Sequence, residues 1–296
     1  MPDMARETTS SMTQRNTYEG HKVVGAVNGD FFSYDPGNSL GMQVRNGEII
    51  KSYGGSQGIS FDVNDKPVVG KPNYDGTLHY KDESIKIDGV NIYEGDLHWF
   101  SWLEDNRLLL FNQYYGSTVN LNEGETKAVI QAIDDWVIND EPVRCIIKEI
   151  SADNVSMSDG ESVLFGLGTG ADFINDNLTV GDTVLITNHI TDLYSHLGIS
   201  QPEKLRQHIG GYPRFILHGR DYVDEGVAEM NANIDKAGRQ PRTAIGFSKD
   251  STKLYFVTID GLQSGYSIGV SMYELAEFMI SIGVHTGINM DSGGST

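Results

Sequence analysis

The sequence predicts an α+β fold: mixed β-sheets with a few flanking helices, in a single large domain with a β-rich middle portion. Three observations carry this. Glycine is abundant, at 34 of 296 residues. The apolar runs are short, strand-sized and separated by Gly, Asn and Asp turns. The clearest helix is Ser271–Ile282, near the C-terminal end. There Ser271 and Glu274 form a capping-box pattern, and Val270 with Leu275 matches a hydrophobic staple. Leu275, Phe278, Met279 and Ile282 share one face at helical spacing, and Gly283 supplies the stop.

The other elements follow in chain order. A short helix is expected around Glu7–Arg15, then a strand at Lys22–Val27 that ends in Asn28-Gly29-Asp30-Phe31-Phe32. In the middle portion Arg107–Phe111, Val143–Ile150 and Ser162–Phe165 read as strands, and Asp159-Gly160 is a hairpin signal. Glu125–Val137 fits a helix or a strand equally. Gly166-Leu167-Gly168-Thr169-Gly170 lacks GxGxxG spacing and reads as a plain loop. Lys253–Ile259 is a strand ending at Asp260-Gly261, and Val284–Met290 a strand ending at Asp291. With the helix between them they form a βαβ crossover, and loops beyond the carboxyl ends of parallel strands are the usual place for a site. No repeat or low-complexity linker interrupts the chain, so one domain over residues 1–296 is expected.

Composition narrows the function classes. With 22 Lys and Arg against 41 Asp and Glu, the formal net charge is −19. Such a surface repels phosphate backbones at long range, which argues against nucleic acid as a partner. A phosphate-bearing ligand must then be met by a local positive site. Cys145 is the single cysteine, so neither an intrachain disulfide nor a Cys-based zinc site can form. The eight histidines show no metal-ligand spacing, and no metal or cofactor is expected. No run reaches the roughly 18 apolar residues of a membrane span. The polar start, Met1 to Gln14, lacks the layout of a signal peptide.

Four segments combine glycine with Asn, Asp or Arg at the ends of apolar runs. Asn28-Gly29-Asp30-Phe31-Phe32 follows the first expected strand, where the plain alternative is a turn with a core plug. In Ile209-Gly210-Gly211-Tyr212-Pro213-Arg214 the paired glycines permit close backbone approach to a ligand, or mark an ordinary bend. In Pro241-Arg242-Thr243-Ala244-Ile245-Gly246, Arg242 is either a planar fork for a phosphate or a structural ion pair. Asn289-Met290-Asp291-Ser292-Gly293-Gly294-Ser295-Thr296 places a carboxylate before a loop of small residues whose N–H groups form an anion nest.

In this order and spacing, the segments "VVGAVNGDFF", "IGGYPRFILHG", "PRTAIGFS", "LYFVTIDG" and "GINMDSGGST" resemble the phosphodiester glycosidase family over nearly the whole chain. Three departures stand out. Ser292 takes the place of the first of three glycines, and Leu262 that of an arginine after Asp-Gly. The family's closing strand would lie past Thr296, so the domain is expected to be shortened at one or both ends.

The resemblance implies hydrolysis of a sugar-1-phosphodiester at the C1–oxygen bond, with an N-acetylglucosamine-like sugar released and a phosphate monoester leaving. The alternative on the same fold is a non-catalytic carbohydrate or cell-envelope binding module. The reaction passes through an oxocarbenium-like transition state that a carboxylate stabilises or attacks. Asp291 is the first choice for that carboxylate and Asp260 the second, with Asn28 hydrogen-bonding a sugar hydroxyl or the phosphate. Arg242, Thr243, Gly211, Gly293, Gly294 and Ser295 are the expected substrate-binding residues. A glycan or sugar-phosphate substrate and an extracellular or cell-envelope location follow from the same resemblance.

Overall fold

The computed structural model describes residues 7–33, 37–52, 57–92, 106–119, 125–192, 204–230 and 234–296, so residues 1–6 of the polar start lie outside the described residues. The fold is α+β as predicted, 15% helical and 44% strand, with four helices beside several sheets among the described residues.

The middle of the chain builds an eight-stranded sheet. At its centre Glu125–Ala132 lies antiparallel between Val143–Ser151 and Glu161–Leu167. This settles the segment that fitted a helix or a strand. Its apolar residues alternate, with Ala128 and Ile130 in one apolar cluster and Val129 in the cluster on the opposite face. Arg107–Phe111 divides likewise, Leu108 and Leu110 to one face and Leu109 and Phe111 to the other. Burying each such side chain contributes about 1.5–3 kcal/mol, so both faces hold the sheet.

Two local expectations are corrected here. Asp159-Gly160 is a turn, closed by Glu161 N–H on the Ser158 carbonyl at 3.0 Å, but it joins no hairpin. The preceding strand, Val155–Ser156, pairs with Thr118–Val119 instead, which carries Val155 and Met157 over the apolar face of Phe111 and Val163. After Gly166-Leu167-Gly168 a helix does follow, over Thr169–Asn177. A Cβ on Gly166 would meet the Gly170 carbonyl carbon at 2.5 Å, so these glycines let the helix sit flush on the sheet.

A five-stranded sheet of Gln43–Arg45, Glu48–Lys51, Gly58–Asp62, Pro67–Gly70 and Leu205–Gly210 packs on a second five-stranded sheet from the C-terminal part. The second runs in the order Arg220–Asp221, Arg214–Leu217, Thr286–Asn289, Arg242–Phe247, Leu254–Ile259. Ile59 and Val69 meet Ile245, Phe247, Ile288 and Met290 between them. The predicted crossover is present in split form. Arg242–Phe247 is antiparallel to both neighbours, so the strands ending before Asp260 and Asp291 run parallel with that strand between them.

The connecting helix spans Met272–Ser281 with its capping box intact: Ser271 Oγ accepts from Glu274 N–H at 3.2 Å, and Glu274 Oε2 from Ser271 N–H at 2.9 Å. Its buried face is Met272, Leu275, Ala276 and Met279. Phe278 and Ile282, expected on that face, lie at its solvent margin because Met272 and Ala276 fill the centre of the contact.

The N-terminal part departs furthest from expectation. The helix forms over Thr9–Arg15, capped by Thr8, and buries no residue. The strand expected at Lys22–Val27 does not form, and Val24 is 94% exposed. A β-prone sequence needs a ladder partner, and none is supplied here; only Val27 reaches the apolar layer between the two five-stranded sheets.

Candidate active site

Strand pairing joins the Arg242 and Asp291 segments at one end of the C-terminal sheet, and hydrogen bonds bring the Asn28 segment to them. Asn28 is the hub. Its Nδ2 donates to the Asp291 carbonyl at 2.6 Å, and its Oδ1 accepts from Thr243 Oγ1 at 2.6 Å. Asp291 N–H returns a bond to the Gly29 carbonyl at 2.9 Å. The Asn28-Gly29 turn is thus stitched to Asp291 by main chain and side chain together, across 263 positions of sequence.

The Asp291 side chain is half-buried. Oδ1 accepts from Ser292 N–H at 2.9 Å, while Oδ2 receives no hydrogen bond from the described residues. Ser292 Oγ turns inward, to the Met290 carbonyl at 3.0 Å and Asn289 Oδ1 at 3.3 Å. Gly293 N–H is taken by the Pro241 carbonyl at 3.2 Å. Gly294 N–H has no acceptor among the described residues, and the space around Gly294 is open. Ser295 closes the short 3-10 turn Gly293–Ser295.

The fourth segment forms the floor. A Cβ on Gly211 would meet the Asn289 carbonyl and Met290 Sδ, each at 2.9 Å, so only glycine lets this loop lie flat beside the Asp291 strand. Asn289 fixes it there, with N–H on the Pro213 carbonyl and Nδ2 on the Tyr212 carbonyl, both at 3.0 Å. The Tyr212 ring rests against Phe31 with centroids 4.5 Å apart. Burial raises the Tyr212 hydroxyl above its usual pKa, and the charges of Asp30 and Asp291 push the same way, so it stays protonated. Asp30 accepts from Phe31 N–H (2.8 Å), Ser39 Oγ (2.6 Å) and Gly41 N–H (2.7 Å), with the buried Lys51 nearby. Burial nonetheless lifts its carboxyl above the ordinary range.

Arg242 and Asp260 sit elsewhere. Arg242 is buried on the face of its strand opposite Thr243. Its Nη2 donates to the Asp235 and Gly238 carbonyls at 2.8 and 3.2 Å, and its Nε to Val270 at 3.4 Å. The fork is occupied by main chain, neither facing Asp291 nor forming the ion pair offered as the alternative. Asp260 is exposed, one strand beyond Arg242, where it accepts from the Tyr266 hydroxyl at 3.3 Å. Two strand spacings, about 10 Å, separate its backbone from that of Asp291.

Sequence reasoning missed the support beneath the floor. Gln57 Oε1 accepts from Arg214 N–H at 2.5 Å and its carbonyl from Gly211 N–H at 2.9 Å, clamping both ends of the Tyr212 loop. Glu229 then holds Gln57 Nε2 (2.7 Å), Arg214 Nη2 (2.9 Å) and the Tyr222 hydroxyl (2.7 Å). Gln57 precedes a strand with no motif around it, and Glu229 looks like any acidic residue on a helix. No local signal marks either. Among the described residues no group of three or more His, Cys, Asp or Glu is arranged to hold a metal ion, and no helix is long and apolar enough to cross a membrane.

Comparison with known proteins bears on the fold and the family. No curated protein matches the chain. A hypothetical protein from Synechocystis superposes with a TM-score of 0.61 at 15% identity, covering 90% of this chain and 45% of its own. A candidate exported protein from Burkholderia pseudomallei superposes with a TM-score of 0.64 at 18% identity, covering 97% and 62%. The chain therefore spans less than two thirds of the length of either protein, and at these identities the likeness is one of fold. The zebrafish N-acetylglucosamine-1-phosphodiester alpha-N-acetylglucosaminidase catalytic domain aligns over 80% of this chain and 69% of its own at 15% identity, with a TM-score of 0.27 that is too low to bear on the fold. The family model for phosphodiester glycosidases matches residues 127–296, which include the Gly211, Arg242, Asp260 and Asp291 segments and leave Asn28 outside. With more than half of its length matched, the chain belongs to the phosphodiester glycosidase family.

Proposed function

We propose that the chain hydrolyses a sugar-1-phosphodiester at the C1–oxygen bond, releasing an N-acetylglucosamine-like sugar from a phosphate monoester. The observation that carries this reading is the Asp291 carboxylate, tethered through Asn28 at a strand end with Oδ2 unengaged and the Gly294 N–H open beside it. Oδ2 meets the positive charge that develops at C1. The leaving phosphate monoester is already stable, so it asks for anion stabilisation more than for a proton. Gly294 N–H and the Ser295 hydroxyl supply it, and the protonated Tyr212 hydroxyl is a further donor. Thr243 and Gly211 act on substrate through the shape they impose, Thr243 by orienting Asn28 and Gly211 by admitting the floor. Arg242 serves as a positioning residue that braces residues 235–238 behind the site. Asp260, held by the Tyr266 hydroxyl on the far side of Arg242–Phe247, is the second carboxylate. The likeness in fold to a candidate exported protein supports an extracellular or envelope location.

Hydrolysis of the methyl phosphodiester of N-acetylglucosamine-1-phosphate in ¹⁸O-water tests the reading. The label is expected in the sugar. Label in the phosphate would mean phosphorus–oxygen cleavage, and substrate that binds without turnover would leave a carbohydrate-binding module.

A further inference from the structure

We propose that the loop from Gly261 to Gly269 is an apolar lip next to the Gly293 turn that binds the group on the far side of the substrate phosphate, and that this group is a hydrocarbon chain. The inference rests on the catalytic reading above for the location of the phosphate. Leu262, Tyr266 and Ile268 are 73%, 74% and 59% exposed within seven residues. Single exposed apolar side chains are ordinary, but three on one short loop form a patch. Gln263 and Ser267 pair as an antiparallel bridge, which sets Leu262 opposite Ile268, the relation in which facing side chains come into contact. Leu262 also has φ +55°, a left-handed conformation unfavourable for a bulky residue. A leucine held there and turned to solvent is costly twice over, as expected where a surface serves a ligand.

The base of the lip is firm. A Cβ on Gly261 or Gly269 would strike the Gln240 carbonyl carbon, at 2.8 and 2.5 Å, so the backbone of both lies flush on the Gln240-Pro241 segment. The next wall over is the nest: Pro241 accepts Gly293 N–H at 3.2 Å. Ser267 Oγ and the Tyr266 hydroxyl tie the loop to the Asp260 carbonyl and carboxylate. The lip is therefore continuous with the phosphate nest and about two strand spacings, roughly 10 Å, from Asp291. Residues 261–270 contain no Asp, Glu, Lys or Arg in a chain whose net charge is −19. A charged aglycone would find no counter-charge here, and a hydrocarbon chain finds three apolar side chains.

Calorimetric titration of the protein with octyl phosphate and with methyl phosphate tests this without turnover. Octyl phosphate is expected to bind at least about tenfold tighter, since each buried methylene adds to affinity. In the combined Leu262→Ser, Tyr266→Ser, Ile268→Ser variant the ratio is expected to fall to about twofold or less, with the fold checked by its melting curve. Equal binding of both phosphates by the parent, or an unchanged ratio in a folded variant, overturns the proposal. So does a parent that self-associates through the lip, shows no octyl preference and becomes monomeric in the variant. If the octyl preference holds but neither octyl nor methyl sugar-1-phosphodiester releases sugar, the lip stands and the catalytic reading falls.

Discussion

The eight-stranded sheet and the C-terminal five-stranded sheet both pair mainly antiparallel but employ their polar side chains differently. In the former they tie paired strands or stay on one strand: the Tyr74 hydroxyl donates to Asn188 Oδ1 at 2.9 Å, and the buried Lys127 and Glu125 pair at 3.5 Å within Glu125–Ala132. In the latter they join segments far apart in the chain, as in Asn28 to Asp291, Thr243 to Asn28, and Gln57 to Arg214 and Glu229. One set finishes a core; the other assembles a place. The contacts of Asn28, Thr243 and Gln57 fix the geometry of the proposed site.

The comparison breaks first at Glu229. Glu229→Ala removes the Glu229 carboxylate from the fully buried Arg214, and loss of about 3–5 kcal/mol is expected in a denaturant titration. An unmoved midpoint would mean that the network beneath the floor holds nothing. In the eight-stranded sheet Leu110→Ala should cost about 2–5 kcal/mol by leaving a cavity, yet leave sugar release per folded molecule as it was. A large rate change there would end the division between core and site.

Arg242→Lys sharpens the contrast on a single strand. A lysine cannot hold the Asp235, Gly238 and Val270 carbonyls together, so about 1–3 kcal/mol of stability should be lost. A raised KM at unchanged stability would instead make Arg242 a phosphate ligand. The effect at His208 is confined to acid solution, because burial lowers its pKa from 6.5 to about 3. The unfolded chain takes up a proton at 6.5 that the folded chain refuses. This stability is present above pH 6.5 and falls as pH drops toward 3, by at most about 1.4 kcal/mol per unit. Stability curves for the parent and His208→Gln should diverge only in that window, with the variant the flatter.

Much of this architecture was legible because period and punctuation are local. The capping box at Ser271 and Glu274 and the alternation in Arg107–Phe111 survive folding unchanged. The strand at Lys22–Val27 was misread because its residues favour strands but a ladder partner is a tertiary fact. The hairpin at Asp159-Gly160 was misread because covering the face of Phe111 outweighed pairing with the nearest strand. In the site, the glycine and asparagine turns identified where chains meet. They did not reveal side-chain direction: Thr243 and Arg242 are adjacent yet face opposite ways. Asp30, Gln57 and Glu229 act through partners as far as 172 residues away, which no spacing rule reaches.

The central claim, that the tethered carboxylate at Asp291 performs the chemistry, is tested most directly by Asp291→Asn. The substitution keeps the shape and removes the charge, while the Asn28 and Gly29 contacts to the Asp291 backbone remain. The measurement is the rate of sugar release from a sugar-1-phosphodiester, alongside a melting curve for parent and variant. The account predicts an unchanged melting curve, retained substrate binding and a rate lower by on the order of a hundredfold or more. A variant that melts normally and turns over at the parent rate would contradict it and move the catalytic role to another carboxylate.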